Sequence, residues 1–179
     1  SQDAERFAER RERGGSTEAI ESPDEQLERT QMRERPVVER LRGGAGVLVL
    51  ESLESAQARG ARIHAELLGG AINCGGHRGG GSMTAPNPNA VRRCIREALG
   101  DASLDGDAVD LVNGHLTATG ADPSEVASWS AALDREPRNF PTLTATKSMV
   151  GHTLGAAGAV ECVATVLMLA GGFAHPCLN

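Results

Sequence analysis

From Gly43 onward, apolar and polar positions fall into short, alternating blocks. Ala45-Gly-Val-Leu-Val-Leu-Glu51 is a nearly continuous apolar run, the pattern of a strand covered on both faces. Ile63, Ala65 and Leu67 alternate with more polar neighbours and predict a second strand. Residues 75–82 are glycine-rich and predict a loop. Asn89 to Leu99, apolar at Val91, Ile95, Ala98 and Leu99, predicts an amphipathic helix, and Val109 to Asn113 a strand. Asp122-Pro123-Ser124-Glu125 predicts a helix start: Asp122 as cap, Pro123 in the first turn, Glu125 reaching back. That helix is expected to run to about Glu136 with Val126, Trp129 and Leu133 on one face. Pro141 to Thr146 predicts a strand, and Leu154 to Leu169 a helix opening on the small residues Gly155-Ala156-Ala157-Gly158. Strand and helix alternate, which is the pattern of a layered α/β architecture.

Residues 1–42 differ: they hold nine Arg and eleven Asp or Glu, and few apolar residues. They read as a charged arm, helical or poorly ordered, set before a domain at 43–179. The whole chain of 179 residues suits a single domain, and with aromatics at only 2% its core must come from Ala, Val, Leu and Ile. A net charge of −6 and the lack of a basic stripe interleaved with aromatics argue against nucleic-acid binding. The most apolar segment, Leu154 to Ala170, is interrupted by Gly158, Glu161 and Thr165 and falls short of the roughly 20 residues of a membrane span. The first thirteen residues carry no signal-like apolar stretch, and Cys74, Cys94, Cys162 and Cys177 form no CxxC pair. The expectation is a soluble, cytoplasmic protein with reduced thiols, bound to neither membrane nor nucleic acid.

One feature of the composition concerns chemistry directly. Of the 18 basic residues, 17 are arginine, and Lys147 is the single lysine. An ammonium is compact and fits a small buried pocket, which a planar guanidinium does not. Lys147 stands in Thr146-Lys-Ser-Met-Val-Gly-His152, between a predicted strand and a predicted helix, the usual place for sites in α/β folds. A second histidine, His115, also follows a predicted strand, in Asn113-Gly-His-Leu-Thr-Ala-Thr119. Two histidines at strand ends, each beside glycine and hydroxyl residues, suggest a shared site.

Thr146 to Glu161, TKSMVGHTLGAAGAVE, closely resembles the lysine–histidine signature of β-ketoacyl-acyl-carrier-protein synthases, the condensing enzymes of fatty-acid and polyketide synthesis. Asn113 to Thr119 resembles their first-histidine motif, and GAGVLVLE at 44–51 the strand before it. The likeness covers about residues 43–179, with a trace at Gly14 to Pro23. It implies a thiolase-like layered fold, of which this chain resembles most of the second half without its closing segment. It also implies that His115 and His152 face a malonyl thioester and stabilise the enolate left by decarboxylation. Lys147 would keep those imidazoles neutral through its charge, and Glu161 would pair with the lysine. Thr117 and Thr119 match hydroxyls that bind the phosphopantetheine arm, which arrives on acyl carrier protein, so no cofactor and no metal is expected.

None of the four cysteines matches the family's nucleophile. Cys162 in particular follows Glu161 in an apolar helix, where burial and the carboxylate would disfavour a thiolate. Leu116 stands where many members have glycine. The expected partners are therefore acyl carrier protein and either further copies of the chain or a cysteine-bearing first-half chain, covering surface that half a fold leaves open. The alternative within the family is a non-catalytic or truncated subunit with a binding or assembly role. Outside the family, Gly151-x3-Gly155-x2-Gly158 departs from the dinucleotide spacing, and Cys74-Gly-Gly-His77 lacks the second pair of a metal site.

Overall fold

The structure, a computed structural model, describes residues 43–75, 80–82 and 85–178. The charged arm at 1–42, the trace at 14–23 and His77 lie outside the described residues.

The fold centres on a parallel pair, β1 (Leu111–Asn113) and β2 (Thr142–Thr144), with Leu111 opposite Thr142, Val112 opposite Leu143 and Asn113 opposite Thr144. Gly114 N donates to Thr144 O at 2.8 Å and carries the ladder one residue further. Parallel neighbours need a crossover, and α3 (Asp122–Leu133) supplies it. Before β1 comes α2 (Pro88–Asp101), which packs along α3. It starts one residue before the expected Asn89: Pro88 takes the first turn, and the Asn87 side chain accepts from Asn89 N. Ile95 of α2, Val112 of β1, and Ala132 and Leu133 of α3 form a buried core, with Val91, Leu99, Val109, Trp129 and Leu143 packed around it. Arg135, just past α3, donates to the carbonyls of Gly106, Asp107 and Asn139 and ties the approach to β1 against the approach to β2.

After β2 the chain forms the short α4 (Lys147–Val150), a 3-10 turn at Leu154–Ala156, and then α5 (Ala157–Gly171). The last helix therefore begins three residues later than its apolar pattern predicts, because Leu154 has φ +51° and breaks regular helix there. The helical stretch Leu154–Gly171 has a mean hydropathy of 1.8, enough by length and composition alone to cross a membrane. It is nevertheless tied to the sheet: Glu161 pairs with Lys147, and Thr165 accepts from Asn113.

Two expected strands are not strands. Residues 45–51 and 63–67 have no regular secondary structure, because no neighbouring strand among the described residues offers them a ladder. Val47, Val49 and Leu67 are left 81%, 92% and 74% exposed. The first segment does lie against α5 at one point. A Cβ on Gly46 would stand 2.7 Å from the Ala159 carbonyl carbon, so only glycine permits that approach. Ahead of the second segment, α1 (Leu53–Ala58) is a six-residue helix capped by the Ser52 hydroxyl.

Candidate active site

Both histidine segments leave the carboxyl ends of β1 and β2, and the parallel pairing brings those ends together. His115 and His152 meet edge to face, with ring centroids 5.1 Å apart and ring planes at 82°. Gly151, at φ +81° and ψ 173°, ends α4 in a conformation open to glycine and turns the chain into His152. His152 Nδ1 accepts a hydrogen bond from Leu154 N at 3.2 Å. In the neutral ring the proton therefore resides on Nε2. The left-handed backbone of Leu154, unfavourable for a branched side chain, accompanies that contact, an instance of strain held at a site.

His115 has an imidazole pKa below its ordinary value. Crowding of the ring by protein atoms is the largest cause, the charge of Lys147 the next, and His152 the third. The lysine does act in the expected direction, but burial outweighs it. Both effects favour a neutral imidazole that can donate a hydrogen bond.

Lys147 is 7% exposed, and its Nζ donates to Glu161 Oε1 across the gap between α4 and α5. The pairing expected of these two residues is thus present. A buried ammonium without such a partner would be costly. Thr117 and Thr119 lie on the loop after β1 with their hydroxyl oxygens 3.2 Å apart, and Thr119 Oγ1 also accepts from Ala121 N.

The carboxylates at the start of α3 correct one expectation. Asp122 does not cap its helix: Ala121 occupies the cap position without a side-chain bond. Instead Asp122 accepts from Thr117 N and Ala118 N, at 3.1 and 2.9 Å. Glu125 reaches further back than a capping box would, accepting from His115 N at 2.6 Å and Leu116 N at 3.0 Å. Four consecutive N–H groups, 115 to 118, are thus held by two carboxylates, which fixes the loop carrying His115 and Thr117. Ala118 sits at φ +58° within it. Burial pushes the Glu125 carboxyl above its ordinary range, against the opposing pull of those two backbone bonds. The Asp-Pro-x-Glu spacing is visible in sequence, but its target is not.

Asn113 is a second residue that the motif contains and whose part only the structure reveals. Its amide donates to Thr146 Oγ1, Glu161 O and Thr165 Oγ1, joining β1, β2 and α5 beneath Lys147. Cys162 requires the opposite revision. It is exposed, as are Cys74 and Cys177. Burial therefore does not explain any lack of reactivity there. Among the described residues no group of His, Cys, Asp and Glu has the geometry of a metal site.

Comparison with known proteins gives a consistent answer. Residues 64–179 match the family described as Beta-ketoacyl synthase, C-terminal domain. The chain is 44% identical over 139 residues to 3-oxoacyl-[acyl-carrier-protein] synthase I, chloroplastic, of Arabidopsis thaliana, covering 76% of this chain and 28% of that protein. Over 137 residues it is 37% identical to 3-oxoacyl-[acyl-carrier-protein] synthase 1 of Escherichia coli strain K12, covering 76% and 32%. Among solved structures, the ishigamide ketosynthase/chain length factor superposes with a TM-score of 0.67 at 44% identity, over 75% of this chain and 32% of that one. A type II polyketide ketosynthase in complex with its acyl-carrier protein, AntDE:AntF, superposes with a TM-score of 0.60 at 33% identity, over 71% and 31%. The chain thus spans between a quarter and a third of the length of these relatives. It shares their thiolase-like α/β fold over that part, and it belongs to the β-ketoacyl synthase family, matching the C-terminal domain.

Proposed function

We propose that this chain carries the decarboxylating half of a β-ketoacyl-acyl-carrier-protein synthase site. The observation that carries the reading is the edge-to-face pair of His115 and His152, set beside the buried Lys147–Glu161 ion pair. Decarboxylation of a malonyl thioester breaks the bond to the carboxylate carbon. CO2 leaves, and the electron pair stays behind as an enolate with its charge on the thioester oxygen. The Nε2–H of His152, with His115 beside it, would donate to that oxygen as the charge develops. Crowding around the His115 ring and the charge of Lys147 favour the neutral form of His115, and Glu161 holds the ammonium in place. Thr117 and Thr119 would take the phosphopantetheine arm delivered by acyl carrier protein, with no further cofactor.

The enolate then attacks an acyl thioester, and that acyl group needs a thiolate to hold it. We assign the thiolate to the first-half sequence of the family fold and not to the four cysteines here. That half, in the same polypeptide or a partner chain, would also cover Val47, Val49 and Leu67. The complex between a ketosynthase and its acyl-carrier protein among the structural neighbours supports the partner assignment.

Lys147→Arg in the assembled enzyme tests the reading. The charge survives, but a planar fork does not fit the space beside Glu161. CO2 release from malonyl-acyl-carrier-protein should fall at least as far as condensation does. Unchanged release would remove the lysine from the site and favour a binding or assembly subunit.

A further inference from the structure

His175 is a histidine that the site above does not use. It follows the end of α5, in the non-helical segment after Gly172. Its ring lies between two threonines at the end of β2, with Nδ1 2.9 Å from Thr144 Oγ1 and Nε2 3.0 Å from Thr146 Oγ1. These threonines are 1% and 3% exposed, so water is poorly placed to replace the ring.

The proton positions follow from the partners. Thr144 Oγ1 donates its one proton to the carbonyl of His175 at 3.0 Å, so it can only accept from the ring. Nδ1 is also 3.1 Å from the Pro176 carbonyl, another pure acceptor. Nδ1 therefore carries the hydrogen. In the neutral ring Nε2 bears no hydrogen, so it takes the Thr146 hydroxyl proton at 3.0 Å in competition with Asn113 Oδ1 at 3.2 Å, and Thr146 Oγ1 accepts from Asn113 Nδ2 at 2.9 Å. Asn113 continues to the Glu161 carbonyl at 3.2 Å, while its own Oδ1 accepts from Thr146 N at 3.3 Å. The segment is anchored twice more: His175 N donates to Met168 Sδ, and Leu178 N to Ser148 Oγ.

Thr146 directly precedes Lys147. We propose that His175 is a positioning residue for Lys147, bridging Thr144 and Thr146 so that the turn from which the lysine projects is held from behind while Glu161 holds its ammonium from the front. The proposal rests on the decarboxylation reading, since it concerns the same lysine. His175 touches no reacting atom in it.

The test uses the synthase assembled with its cysteine-bearing half and compares His175→Ala with His175→Gln, whose amide can reach the place of Nε2. CO2 release from malonyl-acyl-carrier-protein, acyl transfer to the cysteine and thermal unfolding are measured on each. For His175→Ala, CO2 release should fall roughly 10- to 100-fold, the cost of a small misplacement near the chemistry, with acyl transfer within about twofold. His175→Gln should recover most of the loss. Wild-type CO2 release in His175→Ala overturns the proposal, and so does an equal loss in both half-reactions that Gln does not relieve. The imidazole 15N spectrum of the wild-type assembly gives a readout independent of activity and of how the variants fold: an Nδ1–H tautomer at His175 is expected, and an Nε2–H tautomer contradicts the bridge. A wild-type enzyme that releases no CO2 but shows the Nδ1–H tautomer would instead refute the decarboxylation reading and leave the bridge standing.

Discussion

Around the ends of β1 and β2, polar groups are bound in successive layers. Two carboxylates hold four backbone N–H groups under His115, an ion pair holds Lys147, and an asparagine ties three elements together. Residues 43–72 are built in the opposite manner. Apart from α1, the local Glu51–Arg59 pair and bonds at Gly70 and Ala71 to the α2 residues Asp101 and Cys94, they lack regular structure, and many of their apolar side chains face outward: Val49 is 92% exposed and Ile72 99%. The first region is complete with the residues described, and its contacts are polar and directional. The second leaves apolar side chains uncovered among the described residues, and any surface that met them would make apolar, undirected contacts. Under the proposed reading, charge placement and assembly are carried by different parts of one chain, and substitutions should separate them.

The largest effect on stability is expected at the ion pair. Glu161→Ala leaves the ammonium of Lys147 buried without its counter-charge, and loss of one partner of such a pair costs about 3 kcal/mol or more. Denaturant unfolding of the variant should show the loss. An undiminished midpoint would mean that the lysine swings into solvent and that the site is looser than described.

Glu125→Ala should come next. It removes the acceptor of both His115 N, which is exposed, and Leu116 N, which is part-buried, and losing the acceptor of such a bond costs about 1 kcal/mol or more. Decarboxylation should fall further than this loss of stability explains, because His115 is no longer held, while acyl transfer to the cysteine persists. Loss of acyl transfer in equal measure would make Glu125 a fold residue only.

Val49→Lys should be the mildest on the chain itself. A side chain 92% exposed contributes little, so unfolding should shift by no more than about 0.5 kcal/mol. Association with the first half, followed by sedimentation, should nevertheless weaken sharply, since a charge would sit in the covering apolar contact. A large loss of stability in the unassembled chain would show that residues 43–50 already have a partner.

These same regions explain what the sequence could and could not convey. α2 and α3 were legible because hydrophobic periodicity acts within a few residues: Ile95, Trp129 and Leu133 lie in or against the core as their pattern assigns. The two strands that form were legible for the same reason. Ala45–Glu51 carries an equally strong strand pattern and is unpaired, because a ladder is a property of two segments and the sequence of one says nothing about its neighbour. In the structure His115 meets His152 and Lys147 meets Glu161. The targets of Asp122 and Glu125 were misjudged because the Asp-Pro-x-Glu pattern looks the same whether the carboxylates cap their own helix or hold a loop four to ten residues upstream. His175 gave no signal: its significance lies in two threonines about thirty residues away in sequence, brought to it by the return of the chain after α5.

The most direct test of the central claim measures acyl loading and CO2 release separately on the assembled enzyme with His115 and His152 both replaced by alanine. Intact-mass analysis of each half after incubation with an acyl-acyl-carrier-protein reports loading, and labelled malonyl-acyl-carrier-protein reports CO2. Decarboxylation by this half alone predicts a fully acylated cysteine in the other half, no adduct on Cys74, Cys94, Cys162 or Cys177, and CO2 release lowered by a factor of at least about 100, the scale at which removing charge-stabilising donors acts. Undiminished CO2 release, or a stoichiometric acyl adduct on any of those four cysteines, would contradict it.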